Sequence, residues 1–309
     1  MNQHISVFKK EAIDALHLKP EGIYVDATLG RGGHSYEIAK QLTTGHLHCF
    51  DLDMQAISDS KIILKDHLDK ITFHHQNYAN LQATLNEIGI HKVDGILFDL
   101  GVSSPQFDDP ERGFSYRYDA RLDMRMNQTQ ELSAYEVVNQ YELQDLTRIL
   151  RDYGEEKFAY KIAQKIISNR PITTTLELVD VIKSALPQRI LNAKGHPAKK
   201  VFQAIRIEVN QELESLQQAL IQSIALLEDG GYCVVITFHS LEDRIVKQAF
   251  NQVSKAAKVD KRLPQLTPEI INYVHETTNV ISPSQSELEQ NPRAASAKLR
   301  ILRRKETHD

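Results

Sequence analysis

The stretch Asp26-Ala-Thr-Leu-Gly-Arg-Gly-Gly-His34 is a glycine-rich loop that comes directly after a short apolar run at residues 22–25. A strand that ends in a glycine turn and opens a helix lets the backbone approach a ligand closely, because glycine has no Cβ and tolerates positive φ. The first turn of such a helix also offers N–H groups without intrahelical partners. The stretch therefore predicts the first strand, loop and helix of a nucleotide-binding α/β sheet.

An acidic residue stands at the right distance beyond this loop. In nucleotide-binding α/β folds an acid about 20 positions on accepts hydrogen bonds from ribose hydroxyls, and Asp51 occupies that place. The loop lacks dinucleotide spacing, because Ser35 stands where the third glycine of G-x-G-x-x-G belongs. S-adenosylmethionine, which has a ribose and an adenine but no pyrophosphate, fits the loop better. The alternative is a glycine turn that serves only the fold.

Length and composition are those of an ordinary globular protein. The 309 residues suffice for about two domains, and 41% of them are hydrophobic and 25% charged. The N-terminus shows no signal-peptide pattern and no apolar stretch approaches the ~18 residues of a membrane span, so we predict a cytoplasmic protein. Cys49 and Cys233 lie in apolar runs and the 13 histidines show no metal-ligand spacing, so no metal centre is predicted.

Basic residues are concentrated in two tracts, although the net charge is −4. The first tract, between Asp180 and Glu208, contains no acid, and the second runs from Asn291 to Lys305. The cations of the first tract are Lys183, Arg189, Lys194, Lys199, Lys200 and Arg206. Such tracts on an acidic protein predict a localised phosphate-binding face. A solvated basic surface without a partner is the alternative.

The order of elements predicts an α/β sheet that is interrupted by helices. Four apolar runs alternate with helix-like stretches, which is the pattern of a parallel sheet. The runs lie at residues 23–27, 46–50, 71–74 and 93–100, and the helices between them at 35–42, 55–67 and 81–88. From about residue 108 helical patterns replace this alternation, and no strand-like run interrupts them before residue 232. A buried strand at 232–238 and a last, antiparallel strand at 298–303 then resume the sheet.

One long amphipathic helix is predicted to run from Phe202 to about Leu227, just before the buried strand. The predicted fold is therefore a Rossmann-like, doubly wound α/β sheet with an inserted helical domain. We assign residues 1–109 and 204–309 to the sheet domain and residues 110–203 to the insertion.

The richest chemistry follows the fourth strand, in Asp99-Leu-Gly-Val-Ser-Ser-Pro-Gln106. Ligands bind at the carboxyl ends of the strands in such sheets. The carboxylate of Asp99, the hydroxyls of Ser103 and Ser104 and the carbonyl of Pro105 are hydrogen-bond acceptors, which suits an exocyclic amino group whose lone pair must be freed from the ring. A simple turn is the alternative meaning of Ser-Ser-Pro.

A series of short motifs in order along the chain resembles one family. The motifs are His4-Ile-Ser-Val7 with Glu11; Asp26-Ala-Thr-Leu-Gly-Arg-Gly-Gly-His-Ser35; Asp51-Leu-Asp53; Asp99-Leu-Gly-Val-Ser-Ser-Pro-Gln106; Arg112-Gly-Phe-Ser115; Leu122-Asp-Met-Arg-Met126; Gly195-His-Pro-Ala-Lys199; Phe202-Gln-Ala-Ile-Arg206; Val209-Asn210 with Glu212-Leu213; Phe238-His-Ser-Leu-Glu-Asp-Arg244; and Asn291-Pro-Arg293 with Ser296-Ala-Lys-Leu-Arg300. They are similar to those of the MraW/RsmH type of S-adenosylmethionine-dependent 16S rRNA cytosine-N4 methyltransferases.

The resemblance implies a class I methyltransferase fold and an enzyme that methylates the N4 amine of one cytidine in the decoding region of the small ribosomal subunit. It also implies that the inserted domain helps to recognise RNA. The cofactor contacts implied are Gly32, Gly33, His34, Asp51, Tyr78, Asp99 and Gln106. Reasoning from the strand ends reaches the same positions, except for Gln106, which the family adds.

Two groups of residues are candidates for contact with RNA. The first group interleaves arginines with aromatic rings, which serve phosphate contacts and base stacking, and the second group supplies a basic rim. The candidates are Arg112, Phe114, Tyr116, Arg125, Lys194, Lys199, Lys200 and Arg206. Packing within the loop is the alternative for the first group.

We expect direct in-line transfer from the sulfonium to the amine, since neither cysteine is placed to attack the ring. His239 is a candidate for accepting the proton that the amine loses. A methyltransferase of DNA or of a small molecule remains an alternative, as does a non-catalytic module that binds RNA or cofactor. The sequence leaves open whether the protein is a monomer or a homodimer. It also leaves open whether naked RNA, an assembly intermediate or the mature 30S subunit is the substrate.

Overall fold

The computed structural model describes residues 6–102, 106–107, 109–254 and 274–306. The chain forms two compact units. Unit 1 comprises residues 1–101 and 213–309, and unit 2 comprises residues 102–212. The insertion predicted at residues 110–203 lies within the range of unit 2.

Unit 1 contains a seven-stranded sheet with the order β3-β2-β1-β4-β5-β7-β6. The strands are β1 Ile23–Asp26, β2 His46–Asp51, β3 Ile71–His75, β4 Val93–Asp99, β5 Leu227–Thr237, β6 His275–Thr277 and β7 Lys298–Arg304. Strands β1 to β5 pair in parallel, and β7 runs antiparallel to both β5 and β6. The predicted strands, including the antiparallel last one, are confirmed. The sequence did not predict β6, because three residues are too short to show a period of two.

Helices cover both faces of this sheet. In unit 1 they are α1 Lys9–Ala15, α2 Gly33–Gln41, α3 Met54–Ile63 and α4 Leu81–Glu87, followed later in the chain by α11 Glu212–Leu226, whose first residue belongs to unit 2, α12 Ser240–Ser254 and α13 Gln285–Gln290. Neighbouring residues of one strand face different apolar cores: Leu97 packs with α1, α2 and α3, whereas Ile96 and Phe98 pack with α4, α11 and α12. This alternation confirms the doubly wound sheet.

Unit 2 is built from helices around one apolar core. They are α5 Ala134–Gln140, α6 Leu143–Asp152, α7 Ala159–Ser168, α8 Thr175–Ala185, α9 Gln188–Leu191 and α10 Lys199–Asn210. Capping boxes start α5 and α8, where Ser133 and Thr174 exchange hydrogen bonds with Glu136 and Glu177. Among the described residues of both units, no helix combines the length and the apolar character that a bilayer crossing requires.

The single helix predicted between Phe202 and Leu227 is wrong. The structure has two helices, α10 and α11, separated by Gln211, which adopts a left-handed conformation at φ 50°. The side chain of Asn210 fixes this end of α10 to the segment of Met124 and Met126, because it donates to the carbonyl of Met124 and accepts from the N–H of Met126, both at 2.8 Å. A hydrophobic period does not reveal a break at one residue, since the apolar face resumes after it.

Candidate active site

Three neighbouring strands of unit 1 each end in an aspartate. Asp51, Asp26 and Asp99 are the last residues of β2, β1 and β4, which lie side by side in this order. Because these strands are parallel, their carboxyl ends lie at one edge of the sheet. The structure therefore brings the three carboxyl groups to the edge at which ligands bind in such folds.

The glycine-rich loop is fastened to both neighbouring strands. Its Ala27 N–H donates to the carbonyl of Leu97 at 2.8 Å, and its Leu29 N–H donates to the carbonyl of Phe50 at 3.0 Å. Gly30 has a φ of 50° and donates its N–H to Asp51 Oδ2 at 2.9 Å. The loop therefore needs glycine at this position for its conformation, and the same residue orients the acid that was predicted to bind a ribose.

Helix α2 begins at the end of this loop. Its N-cap, Gly32, has a φ of 75° and supplies no side-chain cap, so the first N–H groups of the helix lack a capping side chain. His34, in the first turn, is 5% exposed, and its Nδ1 lies 3.6 Å from Asp99 Oδ2. His34, which follows Gly32 and Gly33 in the first turn of α2, thus lies close to Asp99, and the cofactor contacts of all three residues stay a prediction.

A second set of hydrogen bonds, which the sequence did not reveal, joins β1 to β4. The buried carboxylate of Asp26 accepts from Ser35 Oγ at 2.6 Å and from the Thr28 N–H at 3.1 Å. Thr28 Oγ1 in turn accepts the N–H of Asp99 at 2.6 Å. Thr28 and Ser35 belong to the quoted glycine-rich motif, but no local pattern indicates that they hold Asp99 in place.

Burial dominates the electrostatics of the three carboxyl groups. It raises the pKa of Asp26 to about 6, of Asp51 to about 7 and of Asp99 to about 8. For Asp51 the backbone N–H groups of Asp53 and Gly30 work against the shift, whereas the charges of Asp26 and Glu242 increase the shift of Asp99. A cationic ligand favours the ionised forms of these groups, and an anionic ligand opposes them.

Residues after β3 and β5 complete the edge. Tyr78 stands edge-on to Phe98 with ring centroids 5.7 Å apart, which places it beside β4. After β5, Glu242 Oε2 accepts the N–H groups of Phe238 and His239 at 2.7 and 3.2 Å. The ring of His239 has its Nε2 3.0 Å from Glu242 Oε1, and its Nδ1 accepts the N–H of Glu242 at 3.4 Å. Both ring nitrogens therefore face Glu242, which favours a structural role over that of proton acceptor.

Unit 2 contains a cavity of about 130 Å³ with an aromatic and cationic lining. Its lining residues are Val102, Phe107, Phe114, Tyr116, Lys199, Phe202, Gln203 and Arg206. Tyr116 stacks on His196 at 4.2 Å between ring centroids and meets Phe202 edge-on at 5.8 Å. Four predicted RNA-binding residues, namely Phe114, Tyr116, Lys199 and Arg206, thus line one cavity. Sequence reasoning missed Phe202 and Gln203, although both lie in a quoted motif.

Four of the predicted RNA-binding cations make local contacts in unit 2. Arg112 is buried and donates to the carbonyls of Arg125 and Met126. Arg125 binds the carboxylate of Asp123 with two nitrogens, and Arg206 does the same to Glu212 at 2.7 and 2.8 Å. Lys200 donates to the carbonyl of Glu155. Lys194 and Lys199 are exposed.

The remaining predicted residues lie elsewhere or outside the description. Gln106 is in unit 2 and is 4% exposed, so its contact with a cofactor stays a prediction. The predicted amine acceptors Ser103, Ser104 and Pro105 lie outside the described residues.

Comparison with known proteins decides the family. A family model described as the MraW methylase family matches residues 1–305. The chain belongs to the MraW methylase family. A curated relative, ribosomal RNA small subunit methyltransferase H of Oenococcus oeni, is 52% identical in an alignment of 309 positions that covers 97% of each chain.

Solved structures of methylases are similar at low identity. A putative rRNA-methylase from Clostridium thermocellum is 13% identical, covers 98% of this chain and 99% of its own, and has a TM-score of 0.46. An rRNA methylase from Streptococcus thermophilus is 12% identical, covers 96% of this chain and 94% of its own, and has a TM-score of 0.43. Because both scores lie below 0.5, the assignment rests on the family match and on the curated relative.

As a member of the MraW methylase family, the chain is a class I S-adenosylmethionine-dependent methyltransferase, so the predicted fold, enzyme class and cofactor are confirmed. The residues at the sheet edge fit this cofactor. Asp99 Oδ1 is buried and has no hydrogen-bond partner among the described residues, so it can accept from a cationic ligand. Asp51 is held by two backbone N–H groups and retains acceptor capacity for a ribose.

Proposed function

We propose that this enzyme transfers the methyl group of S-adenosylmethionine to the N4 amine of one cytidine in the decoding region of 16S rRNA. The observation that carries the proposal is the 52% identity, over nearly the whole chain, to a methyltransferase named for the small-subunit RNA. The carboxylate-lined edge of unit 1 supports the cofactor half of the proposal. The aromatic and basic cavity of unit 2 supports the RNA half.

The chain's own contribution to catalysis is positioning. The bound cofactor supplies a methyl group on a positively charged sulfur. Asp51 would hold the ribose, and Asp99, whose Oδ1 has no partner among the described residues, would face the cationic part. Tyr78 and the turn of Gly32 to His34 would complete the cofactor contacts, with Gln106 as the family implies. Reacting atoms must approach to roughly 3 to 3.5 Å for such a transfer.

The amine needs acceptors because its lone pair is delocalised into the cytosine ring. Hydrogen bonds from both amine N–H groups to fixed acceptors favour a pyramidal nitrogen that presents its lone pair to the methyl carbon. We assign these acceptors to Asp99, Ser103, Ser104 and the Pro105 carbonyl. Asp99 can contact both the cofactor and the cytosine amine only if its carboxylate lies between them. Otherwise Ser103, Ser104 and the Pro105 carbonyl orient the amine without it.

A covalent intermediate on cysteine has no support in unit 1. Cys49 and Cys233 are fully buried within β2 and β5, and burial raises the pKa of both thiols. A buried thiol with a raised pKa is a poor nucleophile. Direct transfer from sulfur to nitrogen, without attack on the ring, is therefore the mechanism that we propose. The bond between the methyl carbon and sulfur breaks as the bond to nitrogen forms, and the amine gives up a proton to an acceptor that holds it, such as the ionised carboxylate of Asp99, or to water.

The RNA-contacting surface that we propose is centred on the cavity of unit 2. A base in a folded RNA must be unstacked before an enzyme can reach its amine. Tyr116, which is partly exposed, offers a ring on which an unstacked base can stack, and Lys199 offers a cation for the adjoining phosphate. Phe114 and Phe202, by contrast, are buried and complete the lining from the apolar core. Arg112 and Arg125 would act chiefly by shaping this region, because the described structure gives both guanidinium groups local partners.

The decisive experiment is transfer of a tritiated methyl group to 30S subunits that lack the modification, followed by nuclease digestion and mass spectrometry of the nucleosides. We expect label in N4-methylcytidine. Label in another nucleoside would show that this nucleoside is the target instead. Label only in DNA or in a small molecule would support the alternative, a methyltransferase that acts on those substrates. Binding of the cofactor with no transfer to any acceptor would support the non-catalytic module.

The same assay distinguishes the possible partners. Naked 16S rRNA, assembly intermediates and mature 30S subunits are offered in parallel, and the fastest initial rate identifies the natural substrate. We propose a cytoplasmic enzyme, since ribosomal subunits are its substrate. Sedimentation of the protein with and without RNA would distinguish a monomer from a homodimer.

A further inference from the structure

Residues 6–9 form a strap that lies along the first turns of α2. A Cβ added at Gly33 would overlap the hydroxyl oxygen of Ser6, so Ser6 lies directly against the residue at which α2 begins. One turn farther along, Lys9 Nζ lies 2.8 Å from Glu37 Oε1. The strap therefore covers the part of α2 that carries the cofactor turn of residues 32–34.

The middle of the strap is anchored in the core. Val7 and Phe8 are 5% and 1% exposed, and they belong to the same apolar core as Leu29 of the glycine-rich loop. Phe8 has a φ of 53° and a ψ of 30°, the left-handed conformation that is unfavourable for a residue with a bulky side chain. Such a conformation persists only where the surrounding structure holds it.

A carboxylate from the other end of the chain holds this conformation. Glu287 Oε1, on α13, accepts the backbone N–H of Phe8 at 2.6 Å across 279 residues of sequence. Ser284 Oγ accepts the N–H of Glu287 at 3.2 Å and so fixes the start of α13. Glu287 Oε2 is buried and has no hydrogen-bond partner in the described part of the chain. Among the described residues, the carboxylate of Glu287 therefore makes its hydrogen bond to the N–H of Phe8.

We infer that Glu287 is a positioning residue for the cofactor site, because it holds the strap against the start of α2 and so restrains residues 32–34. The loop before the turn is fastened to the neighbouring strands, but Gly32 and Gly33 are adjacent glycines and no side chain caps the helix, so the contact with Ser6 adds a restraint at the turn itself. The inference rests on the proposed role of this turn in binding S-adenosylmethionine. It adds that residues near both ends of the chain set the cofactor affinity.

The test measures the dissociation constant of S-adenosylhomocysteine by calorimetry for the full-length protein and its variants. We expect Glu287→Ala to weaken binding at least fivefold and to speed hydrogen exchange of the amides of residues 32–36 in the free protein. Glu287→Gln should bind like the wild type, because its amide oxygen can accept the Phe8 N–H. Glu289→Ala, on the exposed side of the same helix, is the matched control and should change neither quantity.

Methyl-transfer kinetics supply the second measurement. The KM for S-adenosylmethionine should rise in Glu287→Ala while kcat at saturating cofactor stays the same. A lower melting temperature with an unchanged dissociation constant would overturn the inference, as would equal losses in the Ala and Gln variants. If Glu287→Ala does not fold, Glu287→Asp, whose carboxylate is one methylene shorter, must show the weakened binding. Failure of the wild type to bind would instead refute the cofactor role of the turn.

Discussion

Asp26, Asp51 and Asp99 lie at one edge of the sheet, where Asp26 is buried and Asp51 and Asp99 are partly buried. A carboxyl group there is more stable protonated than it would be in solvent, which is why the pKa of Asp99 reaches about 8 and that of Asp51 about 7. A cationic cofactor reverses this preference, since it interacts favourably with the ionised forms. The site is therefore suited to recognise a positively charged ligand and to release protons when it binds.

We expect the affinity for S-adenosylmethionine to increase severalfold between pH 6 and pH 7.5. Below its pKa of about 8, Asp99 in the free protein is mainly protonated, so cofactor binding must displace a proton and is weakened as the pH falls. Calorimetry in two buffers of different ionisation enthalpy measures the protons released. Asp99→Asn should bind more weakly at pH 7.5 and show a flatter pH dependence. A dissociation constant independent of pH in the wild type would contradict this account.

Tyr116 provides a prediction for the RNA-contacting surface that we propose in unit 2. Tyr116→Ala removes a ring that lines the cavity of unit 2, and we expect the KM for the RNA substrate to rise about tenfold, because stacking on one base contributes about 1–3 kcal/mol. The KM for S-adenosylmethionine should not change, and Tyr116→Phe should keep most of the affinity. Tyr118→Ala is the control, since Tyr118 is exposed but does not line the cavity. Equal effects of the two alanine variants would argue against the cavity.

At the scale of elements, the turn at Gly113 determines how closely two backbone segments of unit 2 can pack. Gly113 follows the 3₁₀ turn Pro110–Arg112 with a φ of 70°. A Cβ there would overlap the carbonyl oxygen of Arg121 and lie 2.9 Å from the N–H nitrogen of Asp123. The glycine thus lets two backbone segments pass closely, next to the segment that contains Phe114 and Tyr116.

Gly113→Ala should therefore destabilise the protein more than a change in φ preference alone would. Gly89→Ala is the matched control, because Gly89 has a φ of 80° and its added Cβ meets nothing within 4 Å. For the control we expect a loss of about 1–2 kcal/mol in the free energy of unfolding, the ordinary cost of a left-handed residue with a Cβ. The loss for Gly113→Ala should clearly exceed it in urea denaturation followed by circular dichroism. Equal losses would show that the close approach relaxes without cost.

At the scale of the whole molecule, a protein of net charge −4 must bind a polyanion through a local basic surface. The structure withdraws one cation of the first tract from this surface, because the largely buried Arg206 is paired with Glu212. The other five cations, Lys183, Arg189, Lys194, Lys199 and Lys200, are exposed. Electrostatic binding by this tract should therefore depend on these five side chains.

We expect Lys199→Gln to lower the slope of log affinity against log salt concentration by about 0.7, the value for one phosphate contact with a single strand. Lys40→Gln, an exposed cation on α2 of unit 1, is the control and should leave the slope unchanged. Fluorescence anisotropy of a labelled rRNA fragment at several salt concentrations measures both. An unchanged slope for Lys199→Gln would place the phosphate contacts elsewhere on the protein.

Much of the candidate cofactor site could be predicted from sequence because it depends on local pattern and on one general rule. Apolar runs locate the strands, and Asp51 and Asp99 end two of them, so the parallel topology alone brings them to one edge. Partnerships such as Thr28 with Asp99 could not be predicted, because they join segments that are distant along the chain. For the same reason, nothing local shows that Arg206 is paired with Glu212.

The sequence by itself determined the α/β sheet, the glycine-rich turn and the identity of the acids at the strand ends, since alternation, turn residues and strand order are written in neighbouring residues. Only the tertiary structure decided where α10 ends, which arginines are paired and that Glu287 holds Phe8. The physical reason is that hydrogen bonds and burial between distant segments arise only when the chain is folded. These contacts set the pKa of each acid and, as we propose, restrain the turn of residues 32–34.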